Sequence, residues 1–175
     1  MMLRTKTMIA AAPVAIAAAL VAAVLAFTPA AIAQDQADRV EVGDLMLHAF
    51  WTRAMLPGQK AGGGYVVIVN RGANEDVLVA VSTPRAARGE IHEMRVVDDV
   101  MRMRPLPEGL PIPAGETVLL KPGGFHLMFM AVSEPFREGE TIPVTLTFKS
   151  AGDVTLVLPV APAGARRHDH SAHDG

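Results

Sequence analysis

There is no cysteine among the 175 residues of this chain. That absence removes disulfides, zinc–thiolate centres and thiol redox chemistry together. It also closes the electron-transfer type of copper site, in which a cysteine thiolate is the defining ligand. An exported chain of this size must then be held by its apolar core. Concentrated positive charge is missing as well. The 16 basic residues are scattered among 18 acidic ones, with only Arg166-Arg167 adjacent, so nucleic acid is not an expected partner. Beyond the first 33 residues there is no second apolar run of membrane-spanning length and no segment of ten or more residues with helical periodicity.

What is present begins with a leader. Arg4 and Lys6 give a positive start, and Ile9 to Phe27 is almost wholly Ala, Val, Ile and Leu, broken only by Pro13. Ala31-Ile32-Ala33 then supplies the small-residue pattern at which signal peptidases cut. Residues 1–33 are therefore expected to be a signal peptide, cleaved before Gln34. The apolar run is long enough that a retained membrane anchor is the alternative. The leader carries two basic residues and no acidic one, so its removal takes the net charge from −2 to −4.

From Gly43 onward, short apolar segments alternate with Gly and Pro punctuation. Strands are expected at Leu45 to Phe50, Gly64 to Asn70, Val77 to Val81, Glu90 to Val97, Val100 to Arg104, Thr117 to Leu120 and Phe125 to Val132. Ile142, Val144, Leu146 and Phe148 alternate with polar or proline positions, and Val154, Leu156, Leu158 and Val160 repeat the pattern after a Ser-Ala-Gly-Asp turn. These last two read as a hairpin. Many short strands separated by turn signals make an all-β sandwich or barrel. Arg104 to Glu116 holds four prolines and is expected to be an extended loop. The organisation is a leader (1–33), one β domain (34–160) and a flexible, histidine-rich tail (161–175).

Chemistry concentrates in two stretches, 92–103 and 126–130. Five of the ten methionines fall between His92 and Met130, in His92-Glu93-Met94, Met101-Arg102-Met103 and His126-Leu127-Met128-Phe129-Met130. Strand residues two apart point the same way, so His126, Met128 and Met130 share a face, as do His92 and Met94, and Met101 and Met103. If these segments meet, imidazole and thioether donors converge. Thioether sulfur is neutral and polarizable and suits Cu(I); zinc prefers thiolate, imidazole or carboxylate. Methionine alone more often fills gaps in a core. Two clusters that each place histidine two residues before methionine point instead to a soft-metal site, in which some of Met94, Met101 and Met130 pack around the ion or form the mouth.

These residues resemble the motif of the periplasmic copper chaperones of the PCu(A)C family: His, ten residues, Met, about 21 residues, then His-x-Met. Here ten residues separate His92 from Met103, and 22 separate Met103 from His126-Leu127-Met128, one more than the family pattern. Ala49-Phe50-Trp51-Thr52-Arg53-Ala54, Ala61-Gly62-Gly63-Gly64-Tyr65 and Lys121-Pro122-Gly123-Gly124-Phe125-His126 are similar to other family landmarks. The resemblance implies a cupredoxin-like Greek-key β-barrel or sandwich, and copper ligands His92, Met103, His126 and Met128. It further implies a monomeric periplasmic carrier, not an enzyme, that delivers Cu(I) toward cytochrome oxidase, to the copper A centre or a Sco-type assembly factor.

His168, His170 and His173, with Asp169 and Asp174, offer the harder donors that suit Cu(II). They make a candidate second copper site, against the plainer reading of a solubilising tail. His48 and Met46 repeat the donor types without a nearby second cluster and read as ordinary strand residues. A copper oxygenase and a metal-free adhesion sandwich are the rival functions. Loss of Cu(I) binding on replacing Met103 and Met128 by Leu separates the carrier from the sandwich. Oxygen uptake by the copper-loaded protein would favour the oxygenase.

Overall fold

The computed structural model describes residues 39–166. The expected leader, its cleavage site and the tail residues His168, His170 and His173 lie outside them. The described residues form eleven strands and no helix: β1 (Arg39–Val42), β2 (Leu45–Arg53), β3 (Ala61–Asn70), β4 (Asp76–Ser82), β5 (Ala86–Val97), β6 (Val100–Pro105), β7 (Leu110–Ile112), β8 (Thr117–Leu120), β9 (Phe125–Val132), β10 (Thr141–Phe148) and β11 (Gly152–Ala161). The all-β expectation holds.

The strands run in the order β6-β5-β9-β8-β3-β2-β11-β10-β4-β7, with β1 on β2 and a further pairing of β9 with β3. The sheet is mixed: β11 is antiparallel to β10 and parallel to β2, and β8 is parallel to β9. It also curls on itself. Gly89 of β5 lies so close to the Val81 carbonyl of β4 that a Cβ at this position would collide with backbone, so glycine is required where the two parts of the sheet close on each other.

The core fills the inside of this curl. Leu47, Ile68, Leu78, Ile112, Leu127, Phe129, Phe136, Ile142, Leu146 and Leu158 are fully buried in it. Alternation decides who enters. In β10, Ile142, Val144, Leu146 and Phe148 point inward while Thr141 and Pro143 face solvent, as a strand with one wet face requires. Asp76 closes this end: its carboxylate accepts from the backbone N–H of Val77 at 2.7 Å, Ser150 at 2.8 Å and Ala151 at 2.9 Å. Burial opposes ionisation there, but the hydrogen bonds from Ser150, Val77 and Ala151 outweigh it and hold the pKa below its ordinary value.

The strands differ from the sequence reading at several points: β1 was not expected, β2 runs on to Arg53, and β5 begins at Ala86 rather than Glu90. The proline-rich stretch is not all loop, because Leu110–Ile112 forms β7 and pairs with β4 through Val77 and Pro111. Proline is tolerated because β7 ends the strand order, where a missing N–H breaks no ladder. Strand β3 also begins at Ala61 rather than Gly64. The Gly62–Gly64 run is strand because it pairs with Phe129–Leu127 of β9, and it is glycine because aromatic rings crowd it: a Cβ at either end would sit 2.9 Å from a ring carbon of Phe136 or Phe129.

Candidate metal centre

Two turns set the local geometry. Asp98 and Asp99 link β5 to β6 with φ of 52° and 58°, the primed two-residue turn whose twist matches the strands it joins. Pro122 and Gly123 (φ 82°) occupy the centre of the turn before β9, closed by the Gly124 N–H on the Lys121 carbonyl at 3.1 Å. Gly is needed at that second central position. The Gly124 carbonyl then accepts twice, from the Met94 N–H at 3.0 Å and from His126 Nδ1 at 3.0 Å.

In the antiparallel register His92 stands opposite His126, Glu90 opposite Met128, and Met94 opposite Met103. Period-two geometry puts these six side chains on one face, while Ile91, Leu127 and Phe129 enter the core from the other. The two imidazoles meet edge to face with centroids 5.7 Å apart. They are well sequestered, His92 at 9% and His126 at 5% exposure, whereas Met103 is 46% and Met101 64% exposed. The structure thus gathers the sequence-expected residues Met103, His126 and Met128 along one open cleft of about 450 Å³. His92 does not line the cleft; it stands against His126.

Each ring has one nitrogen engaged and one left over. A carbonyl can only accept, so the bond to Gly124 puts the proton on His126 Nδ1 and leaves Nε2 with its lone pair. His92 Nε2 lies 2.8 Å from Glu90 Oε2. In neutral His92 that bond uses the Nε2 proton, and Nδ1 keeps the lone pair. This Nδ1 is buried and has no partner. A buried acceptor left unsatisfied costs free energy, and a bound cation would relieve it. A ring held by a carboxylate on its far nitrogen is the usual way a metal-binding histidine is oriented.

Burial lowers the His126 pKa, the Gly124 hydrogen bond raises it in part, and His92 lowers it again, with the net shift downward. The ring therefore stays neutral, and able to donate to a metal, at more acid pH than a free imidazole. Among the described residues no group of three or more His, Asp or Glu side chains gathers as a metal site. Around these two histidines stand the Met94, Met103 and Met128 thioethers and the Glu90 carboxylate that His92 Nε2 engages; the neutral sulfurs are the donors suited to a soft monovalent ion.

Sequence reasoning missed part of the surroundings. Met55, Gly62, Gly63 and Tyr65 also line the cleft. Met55 sits in the loop after β2, where no periodicity signals it. Glu90 was legible in principle, two residues before His92 on the same strand face; the adjacent Glu93 is instead on the opposite face, bonded to Arg104. Met130 is half-buried opposite Arg88 and Ala61 and does not line the cleft. Met46 is buried and receives Arg71 Nη2, and neither it nor His48 lines the cleft. Trp51 is buried against Tyr65, ring centroids 4.5 Å apart. The Arg53 guanidinium covers both rings, and its Nε donates to the Ala165 carbonyl at 2.7 Å. That bond fastens the start of the C-terminal segment beside the cleft, where Ala163 forms part of the lining.

Comparison with known proteins agrees with this fold. The family described as "Putative lipoprotein LpqE-like" matches residues 45–160. "Putative lipoprotein Lxx21020" of Leifsonia xyli subsp. xyli (strain CTCB07) is 32% identical over 125 residues, 71% of each chain. Among solved structures, the copper-bound PCuAC domain of PmoF2 superposes with a TM-score of 0.61 at 24% identity, covering 71% of this chain and 97% of that one. Cu(I)-bound DR1885 from Deinococcus radiodurans superposes with a TM-score of 0.53 at 24% identity, covering 74% and 85%. The fold is that of PCuAC domains, cupredoxin-like and all-β, as the motif resemblance implies.

Proposed function

Because the chain belongs to the LpqE-like lipoprotein family and has the fold of copper-bound PCuAC domains, we propose that it is an exported copper carrier, not an enzyme. It binds Cu(I) through His92, Met103, His126 and Met128. One observation carries this reading: the β5–β9 register sets His92 opposite His126 on the wet face of the sheet, with Met128 beside them and Met103 one strand over. All four donors are uncharged when they bind, so the site holds a single positive charge without attracting hard dications.

The exposure gradient supports a transfer mechanism by ligand exchange. The buried imidazoles anchor the ion, while the half-exposed Met103 thioether is the ligand that an incoming donor reaches first. Displacing it opens one coordination position without unfolding any strand. A closed site would trap its cargo; this one borders an open cleft.

Competition against a Cu(I) chelator tests the assignment. Wild type outcompetes the Met103→Leu/Met128→Leu protein, and X-ray absorption of the loaded wild type contains sulfur scattering in the first shell. Equal affinities, or a first shell of nitrogen and oxygen alone, sink it.

The remaining assignments rest on sequence and on the resemblance. Residues 1–33 form a signal peptide that directs residues 34–175 to the periplasm, where the carrier acts as a monomer. The recipient is a cytochrome oxidase subunit at its copper A centre or a Sco-type assembly factor. His168, His170 and His173 form a second, Cu(II)-binding site. It begins three residues beyond Ala165, which Arg53 fastens beside the cleft. Cu(II) titration of protein truncated after Gly164 checks this: the truncation lowers the stoichiometry, and unchanged stoichiometry removes the tail site.

A further inference from the structure

Strand β6 ends the strand order: one of its edges pairs with β5, and among the described residues nothing pairs with the other. Natural sheets blunt such edges with very short strands, bulges or proline. The opposite end of the order follows that practice, since β7 has three residues with Pro111 at its centre. β6 does not. It runs six residues without a break in its register with β5, proline enters only at the last of them, and all six are exposed.

Two hydrogen bonds fix which backbone groups of β6 point outward. The Leu106 N–H reaches back to the Ile91 carbonyl at 2.8 Å, and the Met94 N–H points away from β6, to the Gly124 carbonyl at 3.0 Å. Bonded and non-bonded pairs alternate along an antiparallel ladder. The pairs in step with Leu106 and Ile91 are Arg104–Glu93, Arg102–Arg95 and Val100–Val97, so these exchange the bonds between the two strands. The N–H and C=O of Met101 and Met103 are left facing outward. Their side chains lie on the cleft face. A strand added to this edge would bond to both residues, and its residue opposite Met103 would share the cleft face.

The other face of this edge carries positive charge. Arg102 stands directly opposite Arg95, a like-charge pair that costs stability. Glu93 engages Arg104 and lies 3.6 Å from Arg95, while Arg102 has no ion pair among the described residues. Asp98 and Asp99 sit in the turn, outside the paired stretch. A second copy fits this edge poorly: in the antiparallel register that overlaps Val100–Arg104 fully, Arg102 meets its own counterpart. We propose that the outer edge of β6 is the docking strand for the copper recipient, which adds an extended segment antiparallel to it. Carboxylates at alternating positions of that segment face Arg102 and Arg104, and a sulfur donor between them faces Met103. This rests on the carrier reading and names the chemistry of its recipient. Pairing fixes the register, so the incoming donor arrives beside the most accessible of the proposed ligands.

The probe is a synthetic peptide, Thr-Glu-Met-Glu-Val-Thr, whose glutamates fall opposite Arg104 and Arg102. Copper-free protein is used, so docking is read apart from metal binding. With the peptide at about ten times its Kd, solvent exchange of the Met101 and Met103 amides should slow about tenfold. The Arg102 and Arg104 amides, already bonded to β5, should keep their rates. Protection of that other pair, or of neither, overturns the proposal. Arg102→Glu should weaken the peptide about tenfold, the swing between an attractive and a repulsive cross-strand pair, and lysine in the peptide opposite that position should restore binding. Met101→Pro removes an outward N–H without breaking a bond to β5. It should abolish peptide binding while the β5–β6 amides stay protected. Unchanged affinity in both variants overturns the proposal. So does self-association of the free protein that Met101→Pro abolishes, which makes a second copy the occupant. Wild-type protein that fails the Cu(I) competition yet shows the Met101 and Met103 protection defeats the carrier reading alone.

Discussion

Two long hairpins of this molecule are built on the same plan and used for opposite ends. In β10–β11, alternation sends Ile142, Val144, Leu146, Phe148, Leu156, Leu158 and Val160 into the core. In β5–β6, alternation sends Ile91 inward, but the other face carries His92 and Met94, and β6 is exposed along its whole length. Hydrophobic burial at about 25 cal/mol per Å² is what holds the sheet together. The first hairpin contributes to it on every inward position, and the second contributes little beyond β5. The β5–β6 hairpin can present donors in the open because β9, β3 and the far hairpin supply the stability. Function sits where core packing has stopped dictating the residue.

The largest effect that tests this division belongs to the core hairpin. Phe148→Ala should cost about 3–5 kcal/mol in urea unfolding, with Cu(I) affinity intact in the fraction that remains folded. A large loss of affinity in that folded fraction would break the comparison by showing that the two regions are coupled. Next comes the reciprocal change. Met103→Leu/Met128→Leu should weaken Cu(I) about a hundredfold, or about 2.8 kcal/mol, while each substitution shifts stability by less than about 1.5 kcal/mol. Denaturation and chelator competition on the same preparation check both halves.

Glu90 sharpens the comparison further, since its shorter contact is to the His92 ring, at 2.8 Å against 3.6 Å to Arg88. Glu90→Ala removes the acceptor on His92 Nε2, and Cu(I) affinity should fall about tenfold or more, as second-layer changes do. Nitrogen NMR of the His92 ring should lose its fixed tautomer in the same variant. Retention of a single tautomer would show that Glu90 does not set it.

The smallest effect is in the pH dependence, where the two regions separate by window. His126 has a folded pKa below its ordinary 6.5. Its contribution to stability is complete above that value and is lost as pH falls through it, because the unfolded chain then takes up the proton first. The loss levels off below the folded pKa. Asp76 also has a lowered folded pKa, against an ordinary 3.8. Its contribution is present above 3.8 and is lost as pH falls below that value toward the folded pKa. The apoprotein should therefore lose stability in two steps. His126→Gln should abolish the first step and Asp76→Asn the second. Persistence of both steps in either variant would contradict the assignment.

Much of this was legible beforehand, and the reasons differ by residue. The β10–β11 hairpin was readable because strict period-two alternation has few other solutions. The His92 and His126 pairs were readable because donors two apart on a strand must share a face. β7 was hidden by Pro111, which argues against a strand unless the strand is known to lie at an edge. β1 was hidden by brevity, four residues with only Val40 and Val42 to mark it. Met55 was not readable at all, since its place in the cleft lining follows from the path of a loop.

The sequence alone determined which chemistry was available: no thiol, imidazoles at His92 and His126, and thioethers at alternating positions around them. Composition and period are local properties, and short-range strand geometry is enough to convert them into faces. Only the tertiary structure decided which faces meet. The register that sets His92 against His126 depends on pairing residues more than thirty positions apart, fixed by core burial on the opposite face of both strands. A slip of either strand by one residue would turn its histidine into the core, so the packing of Ile91 and Leu127 is the physical reason the donors converge.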